Sequence, residues 1–462
     1  MIERASRPGL RVLSAARAPR AAVGFAVVAV AFALGCVRPS PAPATRSPPA
    51  LASRRADAFL DTLERRTFQW FWDTTDPRTG LTPDRWPSRT FSSVAAIGFA
   101  LTAYPIGAER RYVTRSAAAE RTLSTLRFLW QLPQGESATG VAGYKGFFYH
   151  FLDFEKGLRF EKVELSTIDT SLLLAGALFC QSYFADTARV ETAVRAYADS
   201  LYRRVDWTWP RNRAPAINMG WKPEDGFLPF DWRGYDEAMI VYVLALGSPT
   251  HAVDPAAWAD WTRTYQWHEF YGQPHVNFAP LFGHQYSHVW VDFRGIRDAY
   301  MRGRGIDYFE NSRRAAVAQR AYAMDNPYHW AGYGPNEWGL TASDGPLDRP
   351  VTVDGISRVF FTYAARGAAW NEIRDDGTIA PTAAGGSVAF APEIAIPALI
   401  AMREKYGDRV FATYGFLDAF NATFPRTGLT PQTGTVIPGV AWFDSDYLGI
   451  DQGPIIAMVE NY

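Results

Sequence analysis

The sequence predicts an all-α protein, an (α/α)6 toroid in which paired helices surround a pocket at one end. Three observations support this fold class. Roughly every second predicted helix is apolar on all sides, the helices between them are amphipathic, and long loops rich in aromatic and acidic residues lead into the apolar ones. A helix that is apolar all round has to be buried on every side, whereas an amphipathic helix covers it from outside.

The two kinds of helix alternate along most of the chain. Amphipathic helices are predicted where charges recur on one face, as at Arg195, Asp199 and Arg203, opposite Val194 and Leu201. The predicted buried helices are 92–101, 172–179, 238–246, 392–402 and 450–458, and the predicted covering helices are 54–72, 115–130, 188–205 and 307–324.

The connections differ in length according to the helix that follows. Those before the covering helices are short, whereas those before the buried helices are long: 73–90, 131–163, 205–234, 270–283, 326–389 and 424–447. Loops of such length are uncommon unless they are functional, so we expect them to form the walls of a pocket. Since no internal linker follows residue 51, we interpret 52–462 as one large domain.

Composition excludes some classes of partner. Lysine and arginine balance aspartate and glutamate at 47 each, but residues 1–36 hold five of the arginines, so the remainder is mildly acidic. Because no basic tract is present, nucleic acid is not an expected partner. Aromatic residues make up 15% of the chain, many of them in the loops. Such residues in a cleft favour a ligand with flat apolar faces, and sugar rings fit that description.

The first 36 residues are typical of an export signal, with an arginine-rich start and an apolar run over 21–34. The run ends in Ala33-Leu34-Gly35-Cys36, which resembles a bacterial lipobox, so Cys36 is predicted to be lipidated; a plain signal peptide is the alternative. The proline-rich stretch 37–51 is predicted to be an extended tether. We therefore expect an exported protein, periplasmic or anchored at the outer membrane, that contacts the membrane through a lipid anchor only.

Carboxylates cluster where the predicted buried helices begin. Hydrolysis of a glycosidic bond requires one protonated carboxyl to donate to the leaving oxygen and one carboxylate to activate water or attack carbon. Capping offers a purely structural alternative for each, since Ser166 and Asp169 have capping-box spacing and acidic residues are favoured at helix N-termini. The acidic residues concerned are Glu164, Asp169, Asp236, Glu237, Glu393, Asp444, Asp446 and Asp451.

His284 and His288 lie four residues apart, a spacing that can bind a metal ion. The segment lacks the glutamate of an HExxH motif and has no third ligand nearby, so hydrogen-bonding histidines are the preferred interpretation. Neither a nucleophile elbow nor a phosphate-binding glycine loop is found. We therefore expect no metal and no cofactor.

Several segments resemble the bacterial glycoamylase-like domain, whose members include endo-β-1,2-glucanases and exo-acting enzymes that release sophorose. The resemblance extends from about residue 68 to residue 462. The segments that carry it include 146–152, 164–170, 235–239, 246–251, 281–288, 307–312, 338–346, 376–382 and 449–455.

The resemblance implies an (α/α)6 toroid, an inverting mechanism and a glucan substrate, most specifically β-1,2-glucan. It also implies a catalytic role for Glu237, Asp169 and Glu164. Our working assignment makes Glu237 the proton donor and gives Asp169, with Glu164, the role of polarising the attacking water. The residues predicted to contact sugar are Asp153, His284, His288, Trp338, Asp344, Trp442 and Asp451.

Two other functions are compatible with the sequence. A polysaccharide lyase on an α/α toroid would need a cationic clamp for a uronic acid, and Arg233, Arg294 and Arg349 lie in or beside the loops. A surface glycan-binding protein without catalysis would show affinity without turnover. Fold alone does not decide between them.

Overall fold

The computed structural model describes residues 49–462, with side chains from residue 54 onward. The predicted signal segment, Cys36 and the tether up to residue 48 lie outside the described residues, and α1 begins at Pro49, within the predicted tether. Residues 50–462 form one compact unit. The chain is mostly helical, with 43% helix and 16% strand. None of the described helices combines the length and apolar character needed to span a bilayer.

The helices follow the predicted alternation closely in the first half of the chain. In order they are α1 (Pro49–Thr74), α2 (Val94–Glu109), α3 (Arg115–Gln131), α4 (Thr167–Tyr183), α5 (Arg189–Arg204), α6 (Met239–Gly247), α7 (Ala256–Thr262), α8 (Ala299–Arg304), α9 (Tyr308–Asp325), α10 (Pro381–Gly385), α11 (Pro392–Tyr406) and α12 (Gly449–Glu460). Short 3-10 helices cover Leu281–His284, Tyr286–Val289, Gly407–Arg409 and Phe424–Thr427.

Helices α2 and α4 cross at unusually short range, and this requires glycine on both. Fourteen consecutive residues of α2, from Val94 to Gly107, are buried. A Cβ atom at Gly98 would lie 2.3 Å from the carbonyl oxygen of Leu172, and one at Gly176 would lie 2.1 Å from that of Gly98. Because both distances are below any van der Waals contact, a larger residue at either position would force the two helices apart.

The apolar helices contact one another in sequence. Helix α2 packs against α4 and α12, α4 against α6, α6 against the 3-10 turn Tyr286–Val289, and α10 against α12. The side chain of Gln285 links that turn to α10, because its amide donates to Ala383 O (2.9 Å) and Ser387 Oγ (3.0 Å). On the outside, α3 packs against α2 and α5, and α5 also contacts α4.

Helix α11 corrects one prediction. The run 392–402 was expected to be buried on all sides, but α11 is amphipathic, with Glu393, Pro397 and Arg403 exposed. Glu393 forms a surface ion pair with Arg313 (2.7 Å) instead of lining a pocket. Helix α10, inside the predicted loop 326–389, is the buried one. Alanine, proline and isoleucine fill both faces of α11, so its hydrophobic pattern does not reveal that one face is exposed.

The long loops are not structureless, which corrects the all-α prediction. They contain short antiparallel ladders that satisfy backbone groups a buried loop would otherwise leave unpaired. The paired strands are Arg85–Trp86 with Tyr447–Leu448, Ser92–Ser93 with Phe151–Leu152, Gly143–Tyr144 with Phe147–Phe148, Trp267–Phe270 with Gln273–Val276, Ala342–Ser343 with Ala364–Ala365, Arg349–Val353 with Ile356–Phe360, Gly367–Ala368 with Ile373–Arg374, and Phe411–Ala412 with Gly415–Phe416. Larger sheets join Leu165–Ser166, Gly220–Lys222 and Gly226–Phe227, and join Thr378–Ile379, Phe420–Asn421, Ala441–Phe443 and Thr435–Ile437.

Several of these strands end directly before a buried helix. Strand Ser92–Ser93 precedes α2, Leu165–Ser166 precedes α4, and Tyr447–Leu448 precedes α12. The ladders therefore tie the N-terminal ends of buried helices together on one side of the molecule. The predicted catalytic carboxylates lie on this side.

Candidate active site

The loops before α2 and α4 bring three titratable side chains together: His150, Glu164 and Asp169, which we term the histidine group. The His150 amide donates to Glu164 O (2.9 Å), and Val94 N at the start of α2 donates to His150 O (3.2 Å). Ring atom Nδ1 lies 2.8 Å from Glu164 Oε1, and Nε2 lies 3.5 Å from Asp169 Oδ1. Each ring nitrogen of His150 therefore faces a carboxylate oxygen.

The charges in this group stabilise one another. Burial disfavours the imidazolium, but the charges of Asp169, Glu164 and Asp84 outweigh it and raise the pKa of His150 to about 9. Burial acts against ionised Glu164 as well, yet hydrogen bonding to His150 holds the pKa of Glu164 below its usual value. For Asp169 burial is the stronger effect, and its pKa is raised.

Glu237 lies directly before α6, next to an aspartate with a structural role. Asp236 Oδ1 accepts hydrogen bonds from Ala238 N (2.9 Å) and Trp261 Nε1 (3.3 Å), so Asp236 holds the turn that precedes α6. Burial, followed by the charges of Asp236 and Asp169, raises the pKa of Glu237 to about 8. At neutral pH this carboxyl is mostly protonated, as a general acid requires.

A second set of carboxylates, the acidic group, consists of Asp84, Asp344, Asp418, Asp444 and Asp451. Arg85 binds two of its members, with Nη1 2.7 Å from Asp344 Oδ2 and Nε 3.2 Å from Asp84 Oδ2. Asp344 N donates to Asp418 Oδ2 at 2.6 Å. The group therefore contains more carboxylates than Arg85 can neutralise.

Three oxygens of the acidic group have no hydrogen-bond partner among the described residues: Asp418 Oδ1, Asp444 Oδ2 and Asp451 Oδ2. One oxygen from each of Asp344, Asp418 and Asp444 lies within 4.8 Å of the others, a spacing that a hard cation could use. Sugar hydroxyls could donate to the same oxygens. Burial, followed by the charges of Asp344 and Asp84, raises the pKa of Asp451 to about 7, although a hydrogen bond with Asp418 opposes the shift.

Tyr286 connects the two groups. Its pKa is raised well above the usual value by burial and then by the charges of Asp451, Tyr363, Glu237 and Asp169. The charges of Asp451, Glu237 and Asp169 all act on this hydroxyl, and we therefore treat the three carboxyls as one candidate site. Tyr363 is 51% exposed, although its hydroxyl feels the charges of Asp451, Asp84 and Asp418, so its ring forms part of the rim.

Sequence reasoning missed several members of this site. One signal was present, because Pro83-Asp84-Arg85-Trp86 places charges shortly before a buried helix. Tyr286 and His150 lie in segments dominated by aromatic residues and give no comparable signal. The residues missed are Asp84, Arg85, His150, Tyr286, Tyr363 and Asp418.

Three of the predicted sugar contacts are engaged elsewhere. Asp153 accepts hydrogen bonds from the amides of Glu155 (3.1 Å), Lys156 (2.8 Å) and Leu158 (2.9 Å), so its carboxylate shapes its own turn. His284 is 1% exposed, and its Nε2 lies 3.1 Å from Phe278 O. His288 is buried against Phe293 and Phe390 and lies 3.2 Å from Ser312 Oγ.

The two predicted tryptophan platforms are also in the interior. Trp338 and Trp442 are both 0% exposed, so neither ring has a surface on which a sugar could stack. Trp442 Nε1 donates to Thr433 O at 2.6 Å, which anchors a loop. We therefore assign Trp338 and Trp442 to loop anchoring instead of sugar stacking. Of the seven predicted sugar contacts, only Asp344 and Asp451 lie among the site carboxylates.

Two of the three arginines that a lyase would need are bound to carboxylates. Arg233 binds Asp260 (2.8 Å), and Arg294 pairs with Asp292 (3.2 Å) and lies over the Phe309 ring. Arg349 is exposed on the strand Arg349–Val353. In the part of the chain that the structure describes, Arg85 is the arginine bound to the site carboxylates, and two of them neutralise it.

The chain shares its sequence and fold with several known proteins. A "putative glucoamylase" from Bacteroides fragilis NCTC 9343, known from a crystal structure, is 31% identical, covers 92% of this chain and 93% of its own, and superposes with a TM-score of 0.73. The endo-β-1,2-glucanase from Chitinophaga pinensis, solved with sophorotriose and glucose, is 29% identical over 88% of this chain and 92% of its own, with a TM-score of 0.74.

A third relative is the exo β-1,2-glucooligosaccharide sophorohydrolase (non-reducing end) from Parabacteroides distasonis, 27% identical over 443 residues, which are 88% of this chain. The match spans 55% of the length of that relative. The model of the glycoamylase family, described as "Putative glucoamylase", matches residues 229–462, which include Glu237 and the site residues from Tyr286 to Asp451. With these similarities, the chain belongs to the glycoamylase family.

Proposed function

We propose that this protein is a glycoside hydrolase that cleaves β-1,2-glucan with inversion of the anomeric configuration. The observation that carries the proposal is the half-buried Glu237, whose pKa is raised to about 8, together with buried carboxylates that have oxygens without a hydrogen-bond partner among the described residues. The relatives from Chitinophaga pinensis and Parabacteroides distasonis, both named for activity on β-1,2-linked glucans, supply the linkage.

We also propose that the helices form the (α/α)6 toroid expected from the sequence. The chain of contacts through α2, α4, α6, the turn Tyr286–Val289, α10 and α12 returns to α2, and this supports a closed inner ring. In such a ring the N-terminal ends of the inner helices surround one pocket.

Glu237 is assigned as the general acid. Its pKa of about 8 keeps the carboxyl protonated at neutral pH, so it can protonate the oxygen of the leaving sugar. Burial and the neighbouring negative charges both favour this protonated form.

Asp451 is assigned as the general base, in place of Asp169. A base that activates water needs a free oxygen, and Asp451 Oδ2 has no partner among the described residues. Both Asp169 oxygens are engaged, because Oδ2 accepts the Ser166 hydroxyl and Oδ1 faces His150. Inversion requires the acid and base carboxyls to stand about 6.5–9.5 Å apart, which leaves room for the water.

The remaining members of the acidic group are assigned to substrate binding. Free oxygens of Asp418 and Asp444 can accept hydrogen bonds from sugar hydroxyls, and Tyr363 offers a half-exposed ring. A uronic acid would meet repulsion from this group, so a neutral glucan is the better ligand. The lyase alternative is therefore not favoured.

We further propose that the protein is exported as a lipoprotein acylated at Cys36. The apolar run 21–34 and the small residues before Cys36 support this. Expression of the full chain should place it in the membrane fraction and label it with radioactive palmitate. The Cys36→Ser variant should lose the label; a label that persists in that variant would contradict the proposal.

The activity is tested by incubating the purified protein with linear β-1,2-glucan, other glucans and a uronic-acid polymer. Chromatography should reveal products from β-1,2-glucan, and proton NMR of the first product should give the α-anomer. Sophorose alone from the outset would indicate exo action, and a ladder of sizes would indicate endo action. Activity on another glucan only would contradict the linkage, and near-ultraviolet absorbance from the uronic-acid polymer would indicate a lyase. Binding without turnover would favour the glycan-binding alternative.

A further inference from the structure

His150 occupies the cleft at the point where three loop segments meet. Its backbone is held by Val94 N at α2 and by its own amide to Glu164 O. The imidazole stacks on the Phe151 ring, with centroids 4.0 Å apart and an interplanar angle of 27°. Phe151 in turn packs against Phe91 at 4.3 Å. The ring is therefore fixed in orientation, while 31% of the side-chain surface remains exposed.

The contacts of the ring identify its protonation state. A neutral imidazole has one donor and one acceptor nitrogen, whereas a carboxylate can only accept. Nδ1 lies at hydrogen-bond distance from Glu164 Oε1 (2.8 Å), and Nε2 lies at ion-pair distance from Asp169 Oδ1 (3.5 Å). A position between two carboxylates favours the imidazolium over the neutral ring.

We propose that His150 is a positioning residue: its imidazolium bridges Glu164 and Asp169 and holds the ionised Asp169 beside the proton donor Glu237. This inference rests on the proposed function, because it assigns His150 an effect on the general acid. The negative charge of Asp169 is one of the charges that raise the pKa of Glu237, so fixing Asp169 in its ionised form helps Glu237 to retain its proton.

The carboxylates around His150 determine how its removal changes the pKa values in the site. Glu164 and Asp169 face it from the α4 side, and the charge of Asp84 reaches it from the loop before α2. Without the cation, these carboxylates would repel one another and bind protons at higher pH. Asp169 would become partly protonated, and Glu237 would then lose its own proton at lower pH.

The test compares His150→Gln with the wild-type protein by the pH dependence of kcat and KM on β-1,2-glucan. We expect kcat at the optimum to fall by about tenfold or more, with KM changed by less than about twofold. The bell-shaped pH profile of kcat should become narrower in His150→Gln. If the acidic or the alkaline limb moves by about one pH unit, the rate on that side of the profile changes by about tenfold. His251→Gln is the matched control, since His251 is exposed and lies outside the site.

Two further measurements separate positioning from a merely structural role. Added imidazole should restore part of the activity of His150→Ala, because a free cation can occupy the space between the carboxylates. Nitrogen NMR of the full protein without substrate should find both ring nitrogens of His150 protonated at pH 8, because this pH lies below the His150 pKa of about 9.

A neutral His150 ring at pH 7, or a His150→Gln profile of unchanged width, would overturn the inference. If the wild-type protein cleaves no glucan, the proposed function fails, and the NMR measurement still decides whether His150 is the bridging cation.

Discussion

Arg366 and Asp376 form a fully buried ion pair with two parallel hydrogen bonds. Arg366 Nε donates to Asp376 Oδ1 and Nη2 donates to Oδ2, each at 2.8 Å, and both side chains are 0% exposed. Arg366 also donates to Ser343 O (2.7 Å) and Phe361 O (3.0 Å). The pair therefore joins the segment before Asp344 to the loop that carries Tyr363, and so helps to hold Asp344 of the acidic group in place.

Breaking this pair should destabilise the protein strongly. Asp376→Asn leaves the Arg366 guanidinium buried without its counter-charge, and we expect a loss of about 3–5 kcal/mol in the free energy of unfolding. Urea denaturation at pH 7 measures it. The exposed pair Arg426–Asp354 is the control, where Asp354→Asn should cost about 1 kcal/mol or less. Equal effects at the two pairs would contradict the role of burial.

Glu237→Gln should abolish most of the turnover while substrate binding is retained. The glutamine has nearly the same shape but cannot protonate a leaving oxygen, so we expect kcat to fall by about 10²–10⁴-fold. Steady-state kinetics gives the rate, and calorimetry with a β-1,2-gluco-oligosaccharide gives the affinity. Glu393→Gln on the surface of α11 is the control and should behave as wild type. Near-normal turnover of Glu237→Gln would refute the assignment.

Asp451→Asn and Asp169→Asn distinguish the two candidates for the base. If Asp451 activates water, Asp451→Asn should be nearly inactive. Azide needs no general base and attacks from the same face as water, so it should restore turnover as the α-glycosyl azide. Asp169→Asn should keep a measurable rate, because Asp169 acts on the reaction only by raising the pKa of Glu237. Product NMR with and without azide provides the measurement. The reverse ranking of the two variants would return the base to Asp169.

The pH dependence of kcat/KM should be a narrow bell. The base has to be ionised, so the rate should rise through the pKa of Asp451 at about 7. The acid has to be protonated, so the rate should fall as Glu237 loses its proton at about 8. Initial rates between pH 5 and 10 test this prediction. A profile that is flat from pH 5 to 9 would show that neither group controls the reaction.

Glu64 should make the protein less stable as the pH rises. Burial, together with Glu460, raises the pKa of Glu64 from 4.5 to about 8, although Arg110 opposes the shift. Between these two pH values the native state binds more protons than the unfolded state, so the free energy of unfolding decreases with pH. Glu64→Gln should therefore lose less thermal stability than wild type between pH 5 and pH 9. Calorimetry at both pH values tests this, with Glu310→Gln, at a partly exposed position, as the control. Parallel curves for wild type and Glu64→Gln would contradict the prediction.

The alternation of helices was predictable from hydrophobic pattern alone. Helices α2 and α4 carry almost no charge, and the charges of α5 recur on one face, so each pattern specifies how much of the helix surface is covered. The same reasoning failed at α11, whose exposed face is apolar apart from a few residues, and at α10, which is too short to show a period.

Candidate carboxylates were also predictable, because the motifs around Glu164, Asp169 and Glu237 lie where helices α4 and α6 begin. The sequence alone determined that α2, α4 and α12 are largely buried, since that depends on the composition of each segment. Only the tertiary structure decided which side chains meet. The core contains three of the predicted contact residues, Trp338, Trp442 and His284. The site instead contains His150, Arg85 and Tyr286, which come from loops far apart in the sequence. Burial and charge act through space, and so the pKa of Glu237 depends on neighbours such as Asp169, which the sequence places 68 residues away.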